Sequence, residues 1–272
     1  MKIAAFYENI VSALEKENIS LVDYLSELKE LGLELIYISG DSYEKDKDVV
    51  MKALKELDMG VEGMHQHFDF AHDPNVTAYE KYIDYAKEAG AANILLVPGY
   101  ILPEEKDKED ELKNNMLLNM TRAVEYGKKA GVAVCMEDFD SMHSPINSVK
   151  GLDYFFDRID DLKCAFDTGN FVCYKEDEVE ALKHYKDKLV TIHIKDRVFL
   201  GGGEKDYPCE CHDGSKAWTV PAGTGEMHIK EIIDLLKSWD YKGNVIAELY
   251  GYDDTYEGFK TSVKNLKAMI DG

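Results

Sequence analysis

NNMLLNMTRAVEYGKKAG at residues 114–131 runs directly into VAVCMEDF at 132–139, and the hydrophobic period changes at the junction. In the first segment apolar residues recur at three and four, the spacing of one helix face, and Gly131 stands where a helix stops. The second is a short, almost continuous apolar run, the pattern of a parallel strand covered by helices on its outer face. The same alternation extends to both ends of the chain. Strand-like runs are KIAAFYE (2–8), LELIYISG (33–40), GVEGMHQHF (60–68), ANILLVPGY (92–100), VAVCMEDF (132–139), LKCAFDTG (162–169), LVTIHIKD (189–196) and NVIAELY (244–250). Amphipathic segments such as SLVDYLSELKELG (20–32) and AYEKYIDYAKEAG (78–90) lie between them and close on Gly32 and Gly90.

Eight strands in 272 residues, most of them starting about 27 to 39 residues apart, predict an α/β fold: a (β/α)8 TIM barrel forming one domain over residues 1–272. The competing architecture is an open doubly wound sheet, which usually has fewer strands and a glycine-rich phosphate loop after the first; no GxGxxG follows strand one here. One interval breaks the rhythm. Val190 and Asn244, which start strands seven and eight, are 54 residues apart. The intervening segment, residues 197–228, is rich in glycine, contains two prolines and precedes a helix near 228–239. A long loop after a barrel strand lies on the C-terminal face, so this one is predicted to line or cover the site.

Composition narrows the partners. Thirty-two basic against 53 acidic residues leave a net charge of −21, which repels phosphate backbones and anionic lipid, so neither nucleic acid nor membrane is expected as a partner. Arg122, Arg158 and Arg197 are the only arginines, too few for a bidentate phosphate-gripping surface. The opening residues carry acids and no apolar core of signal-peptide length, and no apolar run approaches 18 residues. Five cysteines scattered from Cys135 to Cys211 read as reduced thiols, and the chain reads as cytoplasmic.

The last four strands end in ionisable groups: Glu137, Asp167, His193 and Glu248, at intervals of 30, 26 and 55 residues. Charged groups after such apolar runs carry several kcal/mol of desolvation cost unless paired or bound to a cation. Three carboxylates and one imidazole converging at a barrel mouth suit one divalent metal ion, Mn²⁺ foremost, with Mg²⁺ and Co²⁺ suited and Zn²⁺ tolerated.

ED at 137 and 138, DTGN at 167–170, HIKD at 193–196, VPAGTGEM at 220–227 and AELY at 247–250 resemble, over essentially the whole chain, the xylose isomerase-like TIM barrel superfamily and its sugar phosphate isomerase/epimerase branch. The resemblance implies that Glu137, Asp167, His193 and Glu248 bind the metal and that the two glutamates flank the substrate as acid and base. It implies an isomerase or epimerase acting through an enediolate on a ketose or related hydroxy-carbonyl sugar or polyol, in a possible homo-oligomer. A lyase or dehydratase on the same metal site is the alternative enzyme, and a sugar-binding barrel subunit without activity is the alternative outside catalysis. Phosphodiester hydrolysis of abasic DNA, known on a related barrel, is opposed by the charge balance.

Asn170 departs from the pattern, since epimerase members commonly carry histidine there. Asparagine can hydrogen-bond a sugar hydroxyl but cannot relay a proton at neutral pH. Lys195 and Arg197 have two readings, substrate contacts or partners for nearby acids. His65 and His67 have the same strand parity, so both face one way and either can touch substrate. Tyr7, Glu8, Trp218 and Tyr250 are weaker candidates for the pocket wall. Cys209, Cys211 and His212 form a CxCH that lacks the spacing and second pair of a zinc site.

Overall fold

The computed structural model describes residues 1–203 and 206–272; Glu204 and Lys205, inside the loop expected after strand seven, lie outside the described residues. In chain order the elements begin with β1 (Ile3–Phe6), α1 (Tyr7–Glu17), α2 (Leu21–Leu31), β2 (Leu33–Ser39), α3 (Gly40–Glu56), β3 (Gly60–His67), α4 (Tyr79–Glu88) and β4 (Asn93–Val97). They continue with α5 (Glu109–Ala130), β5 (Ala133–Met136), α6 (Val149–Phe156), β6 (Lys163–Asp167), α7 (Glu178–His184) and β7 (Leu189–Ile194). After these come β8 (Asp196–Val198), β9 (Cys209–Glu210), β10 (Lys216–Val220), α8 (Ile229–Ser238), β11 (Asn244–Ala247) and α9 (Thr255–Asp271).

Parallel pairing closes the barrel in the order β1-β2-β3-β4-β5-β6-β7-β11, so each of the eight expected strands is present. Local chemistry sets the helix ends. Ser20 caps α2 by accepting from the Asp23 amide, and Asp177 caps α7 by accepting from the Val179 and Glu180 amides. The expected stop at Gly131 is real, with φ +82, a left-handed conformation that glycine adopts without cost.

Strand alternation divides the apolar residues between two cores. Ile3, Ala5, Ile36, Phe166 and Ile192 face the helices and join the larger core with Leu152, Leu182 and Phe259. Their neighbours Ala4, Phe6, Tyr37, Leu95, Cys135, Ala165 and Ile246 form a second cluster that fills the barrel. Each fully buried large apolar side chain contributes roughly 1.5–3 kcal/mol.

The segment after β7 differs from its expectation as an irregular loop. It contains a three-stranded antiparallel sheet in the order β8-β10-β9, with Trp218 opposite Val198 and Val220 opposite Asp196. KAWTV, residues 216–220, is a β-prone run too short to stand out among glycines, and its pairing with residues 196–198 is visible only in three dimensions.

Helix α5 sits very close to the strand it precedes. A Cβ on Gly127 would lie 2.6 Å from Val134 Cγ2 and 2.7 Å from the Val132 carbonyl oxygen. Gly127→Ala gains about 1 kcal/mol of helix propensity but overlaps backbone that no rotamer change can move. We expect a net loss of about 1–2 kcal/mol in urea unfolding, and an unchanged midpoint would show that α5 can move away from the strand.

Candidate functional site

Strand register builds the site. Asp167 and His193 are directly paired on β6 and β7, and His193 is paired with Ile246 on β11, two residues before Glu248. Glu137 is the first residue beyond β5, and Glu248, just beyond β11, donates its amide to the Ile194 carbonyl at 3.1 Å. One ligand atom from each of Glu137, Asp167 and His193 falls within 4.8 Å of the others, and all three residues are buried. Glu248 reaches the same group, with Oε2 at 3.5 Å from His193 Nδ1. Its other oxygen lies 2.5 Å from Lys195 Nζ, which is also 3.1 Å from Asp167 Oδ2.

Three buried carboxylates thus face one ammonium and one imidazole. Burial opposes a charged His193, but the proximity of Glu137, Glu248 and Asp167 outweighs it and raises the ring to about 9. Burial raises Glu248 to about 7, with Lys195 acting in the opposite direction. Asp167 is raised for the same first reason.

The residues fit a divalent cation. Glu137 Oε2, Asp167 Oδ2 and both ring nitrogens of His193 are buried without a hydrogen-bond partner. Glu137 Oε2 and His193 Nδ1 are 2.8 Å apart, a buried ion pair in which a bound divalent cation would take the place of the imidazole proton. Among the described residues this is the one group of three or more histidine, cysteine or carboxylate side chains brought so close.

A cavity of about 210 Å³ opens above the group, with Glu137, Lys195, Glu248, His65 and His67 as its polar wall and Phe6, Phe139 and Tyr250 as aromatic wall. It admits a small molecule and not a polymer. A larger groove of about 560 Å³, between Leu102 and Tyr154, contains no comparable buried carboxylates. His65 and His67 reach the same cavity, as their parity requires. His65 stacks on Tyr37 with centroids 5.5 Å apart and holds Glu8 Oε2 at 3.3 Å. Burial lowers His67, which therefore stands neutral at pH 7, and its ring meets Phe139 edge-on at 5.8 Å.

Asn170 and Arg197 stand behind this wall and are not part of it. Asn170 donates to the Asp138 carbonyl at 2.8 Å and accepts from Lys195 Nζ at 3.0 Å. Arg197, only 2% exposed, donates to the carbonyls of Gly169 and Ala217, to Asn170 Oδ1 and to Asp140 Oδ2. For Arg197 the partner-for-acids reading describes its placement, because its donors are already engaged within the protein. Trp218 lies on the sheet that follows β7, away from the cavity wall.

Three aspartates were not legible as site residues. Asp140 lines the cavity, and although burial works against its charge, Lys195 and Arg197 hold it below the ordinary carboxylate range. Asp138 is fully buried with both oxygens unpartnered, and burial, followed by the charge of Asp167, raises it well above that range. Its position in the ED pair is the available signal. Asp196 accepts from the amides of Gly223, Gly225 and Met227, which explains why HIKD and VPAGTGEM occur together.

The profile of the xylose isomerase-like TIM barrel family matches residues 25–269. The chain is similar to an inosose dehydratase from Mesomycoplasma hyopneumoniae, 23% identical over 247 residues that cover 85% of this chain and 81% of that protein. Among solved structures, the IOLI protein with a zinc atom matches with a TM-score of 0.75 and 18% identity over 100% of this chain and 98% of its own. The apo form of 3-keto-D-glucoside 4-epimerase, YcjR, from E. coli matches with a TM-score of 0.71 and 18% identity over 98% and 99%. At these identities the structural likeness is one of fold.

Glu8 offers a pH test of the cavity wall. Burial alone would raise it, but the hydrogen bond and charge of His65, with the Ser39 amide, bring it from 4.5 down to about 2. A depressed carboxylate contributes stability that is complete above pH 4.5 and is lost as pH falls toward 2. Glu8→Gln should therefore cost about 1–2 kcal/mol at pH 6, and the gap from the native protein should narrow by pH 3 in urea titrations. A gap independent of pH would remove the ionic role of Glu8.

Proposed function

The chain belongs to the xylose isomerase-like TIM barrel family, and from that premise we propose that it is a divalent-metal-dependent isomerase or epimerase of a ketose or related hydroxy-carbonyl sugar or polyol. The observation that carries this reading is the placement of Glu137 and Glu248 around His193, both on the cavity wall and both beside the unpartnered ligand atoms. Glu137, Asp167, His193 and Glu248 would hold the ion, Mn²⁺ foremost, with Zn²⁺, Mg²⁺ or Co²⁺ as alternatives. When bound, such a cation supplies positive charge at substrate oxygens and so acidifies the adjacent C–H bond.

The protein's own groups supply the rest. One glutamate removes the proton from the carbon next to the carbonyl, and the other returns a proton on the far face or at the neighbouring carbon. Glu248, with a pKa of about 7, is suited to both directions of transfer near neutral pH. Lys195, held by Asn170, keeps Glu248 oriented through Oε1. Neutral His67 is available to hydrogen-bond a hydroxyl, while Phe6, Phe139 and Tyr250 pack on the apolar face of the carbon skeleton and exclude water. Three carboxylates against one divalent cation favour a neutral substrate over a phosphorylated one, a preference that the Lys195 ammonium softens.

Dehydration is the second reading, favoured by the likeness to inosose dehydratase. The first proton removal is the same, but the hydroxyl on the next carbon then takes a proton and leaves as water. Incubation with a panel of ketoses and inososes in D₂O separates the two. Solvent deuterium in a product of unchanged composition marks epimerisation or isomerisation, and loss of water marks dehydration. If neither occurs on the panel with metal-loaded protein, the sugar-binding barrel becomes the better account.

Two further outcomes test the site. Elemental analysis of dialysed protein should find about one divalent ion per chain, and His193→Ala should lose it; equal metal in both would remove His193 from the ligand set. Glu137→Gln and Glu248→Gln should each lower turnover by about 10²- to 10⁴-fold with the circular dichroism unchanged. Near-native rates in either variant would end the two-glutamate mechanism.

A further inference from the structure

Outside the site just described, two thiols are held against each other. Cys173, in the short 3₁₀ turn Phe171–Tyr174 after β6, places its sulfur 3.2 Å from that of Cys209 at the start of β9. The pair joins two segments far apart in sequence. One continues from the turn that holds Asn170, and the other belongs to the small sheet that follows β7.

The two sulfurs have different surroundings. Cys173 is 2% exposed and belongs to a small apolar cluster with Cys211 and Ala217. Cys209 is partly exposed on the wall of an open groove of about 440 Å³ that also reaches Asp140, Arg197 and Tyr250. Cys209 Sγ also lies 3.5 Å from the Asp140 carbonyl. Hydrogen bonding from Cys173 lowers the Cys209 thiol despite burial and the charge of Asp140, and Arg197 and Lys195 act in the same direction as Cys173. The remaining three cysteines are fully buried, and burial raises Cys135 and Cys164 well above an ordinary thiol. An accessible thiol in sulfur–sulfur contact with a covered partner has the two parts of a dithiol redox site.

We propose that Cys173 and Cys209 are a peroxide-reactive pair, in which Cys209 is the attacking thiol, Cys173 the resolving thiol, and the product is a disulfide within one chain. The Cys209 sulfur attacks one oxygen of hydrogen peroxide and breaks the O–O bond; the proton of its thiol passes to the other oxygen, which leaves as water, and Cys209 becomes a sulfenic acid. Cys173 then attacks the sulfenic sulfur, forms the S–S bond, loses its proton and expels a second water. Two thiols are oxidised by two electrons and one peroxide is reduced to two waters. The bond would tie the small sheet to the turn after β6 and remove the Cys209 S–H from the Asp140 carbonyl. None of this depends on the reaction proposed for the barrel mouth.

The test uses the full-length protein and hydrogen peroxide near stoichiometric amounts, followed by alkylation under denaturing conditions. We expect free thiols to fall from five to three per chain, the peptides containing Cys173 and Cys209 to become linked, and dithiothreitol to restore all five. Cys173→Ser should stop at a Cys209 sulfenic acid that dimedone traps, and Cys209→Ser should keep its four thiols through the same treatment. A thiol count that stays at five, a link between Cys209 and Cys211, or a disulfide between two chains would each overturn the assignment.

Discussion

Buried negative charge at the mouth of the barrel is the constraint to which the surrounding structure responds. Parallel register on β6 and β7 places Asp167 beside His193, and Glu137 and Glu248 close on the imidazole from either side. An unpaired buried carboxylate costs several kcal/mol, and among the described residues Lys195 is the one lysine or arginine in direct reach of this group. Its ammonium touches Asp167 and Glu248, yet Glu137 Oε2 and both ring nitrogens of His193 still lack an aligned hydrogen-bond partner. That residual deficit makes a divalent cation the economical completion of the site.

The positions of Lys195 and Arg197 follow from the same constraint. Asn170 accepts from both, while its amide group is held by the Asp138 carbonyl. Arg197 is stretched between Asp140 and the Gly169 carbonyl, so of its two readings from sequence, substrate contact or partner for nearby acids, the second describes its placement behind the cavity wall. Asp196 works outward from the same short stretch, gathering three backbone amides from residues 223–227 and fixing the way the chain returns to α8. Three consecutive residues thus divide their labour: Lys195 serves the carboxylates, Asp196 the following segment and Arg197 the joint between them, with His193 two positions before Lys195 at the centre.

Aromatic packing orients the imidazole. Phe6 and Tyr37 meet His193 edge-on at 5.1 and 5.0 Å, and Tyr37 also stacks on His65. Such rings leave the imidazole little freedom to turn, so its Nδ1 remains directed at Glu137 and Glu248. In the reaction we propose, orientation of this kind serves proton removal beside a carbonyl whatever happens to the resulting electron pair. That is why one barrel mouth is compatible with both epimerase and dehydratase outcomes.

Periodicity alone determined the eight strands, most of the helices and the ends on which Glu137, Asp167, His193 and Glu248 stand, because burial on one or both faces imposes a spacing that any local reading detects. The placement of His65 and His67 toward one cavity followed from strand parity for the same reason. Tertiary structure decided everything that depends on two segments meeting. It paired residues 196–198, 209–210 and 216–220 into a small sheet, placed Asn170 and Arg197 behind the cavity wall, and showed Asp138 to be a buried, unpartnered carboxylate. It also brought Cys173 against Cys209 and set Glu8 on His65 across the mouth. A sequence specifies which groups each strand carries to its end, but whether a charge meets substrate, cation or its own backbone depends on ångström distances between strands that carry no local signal.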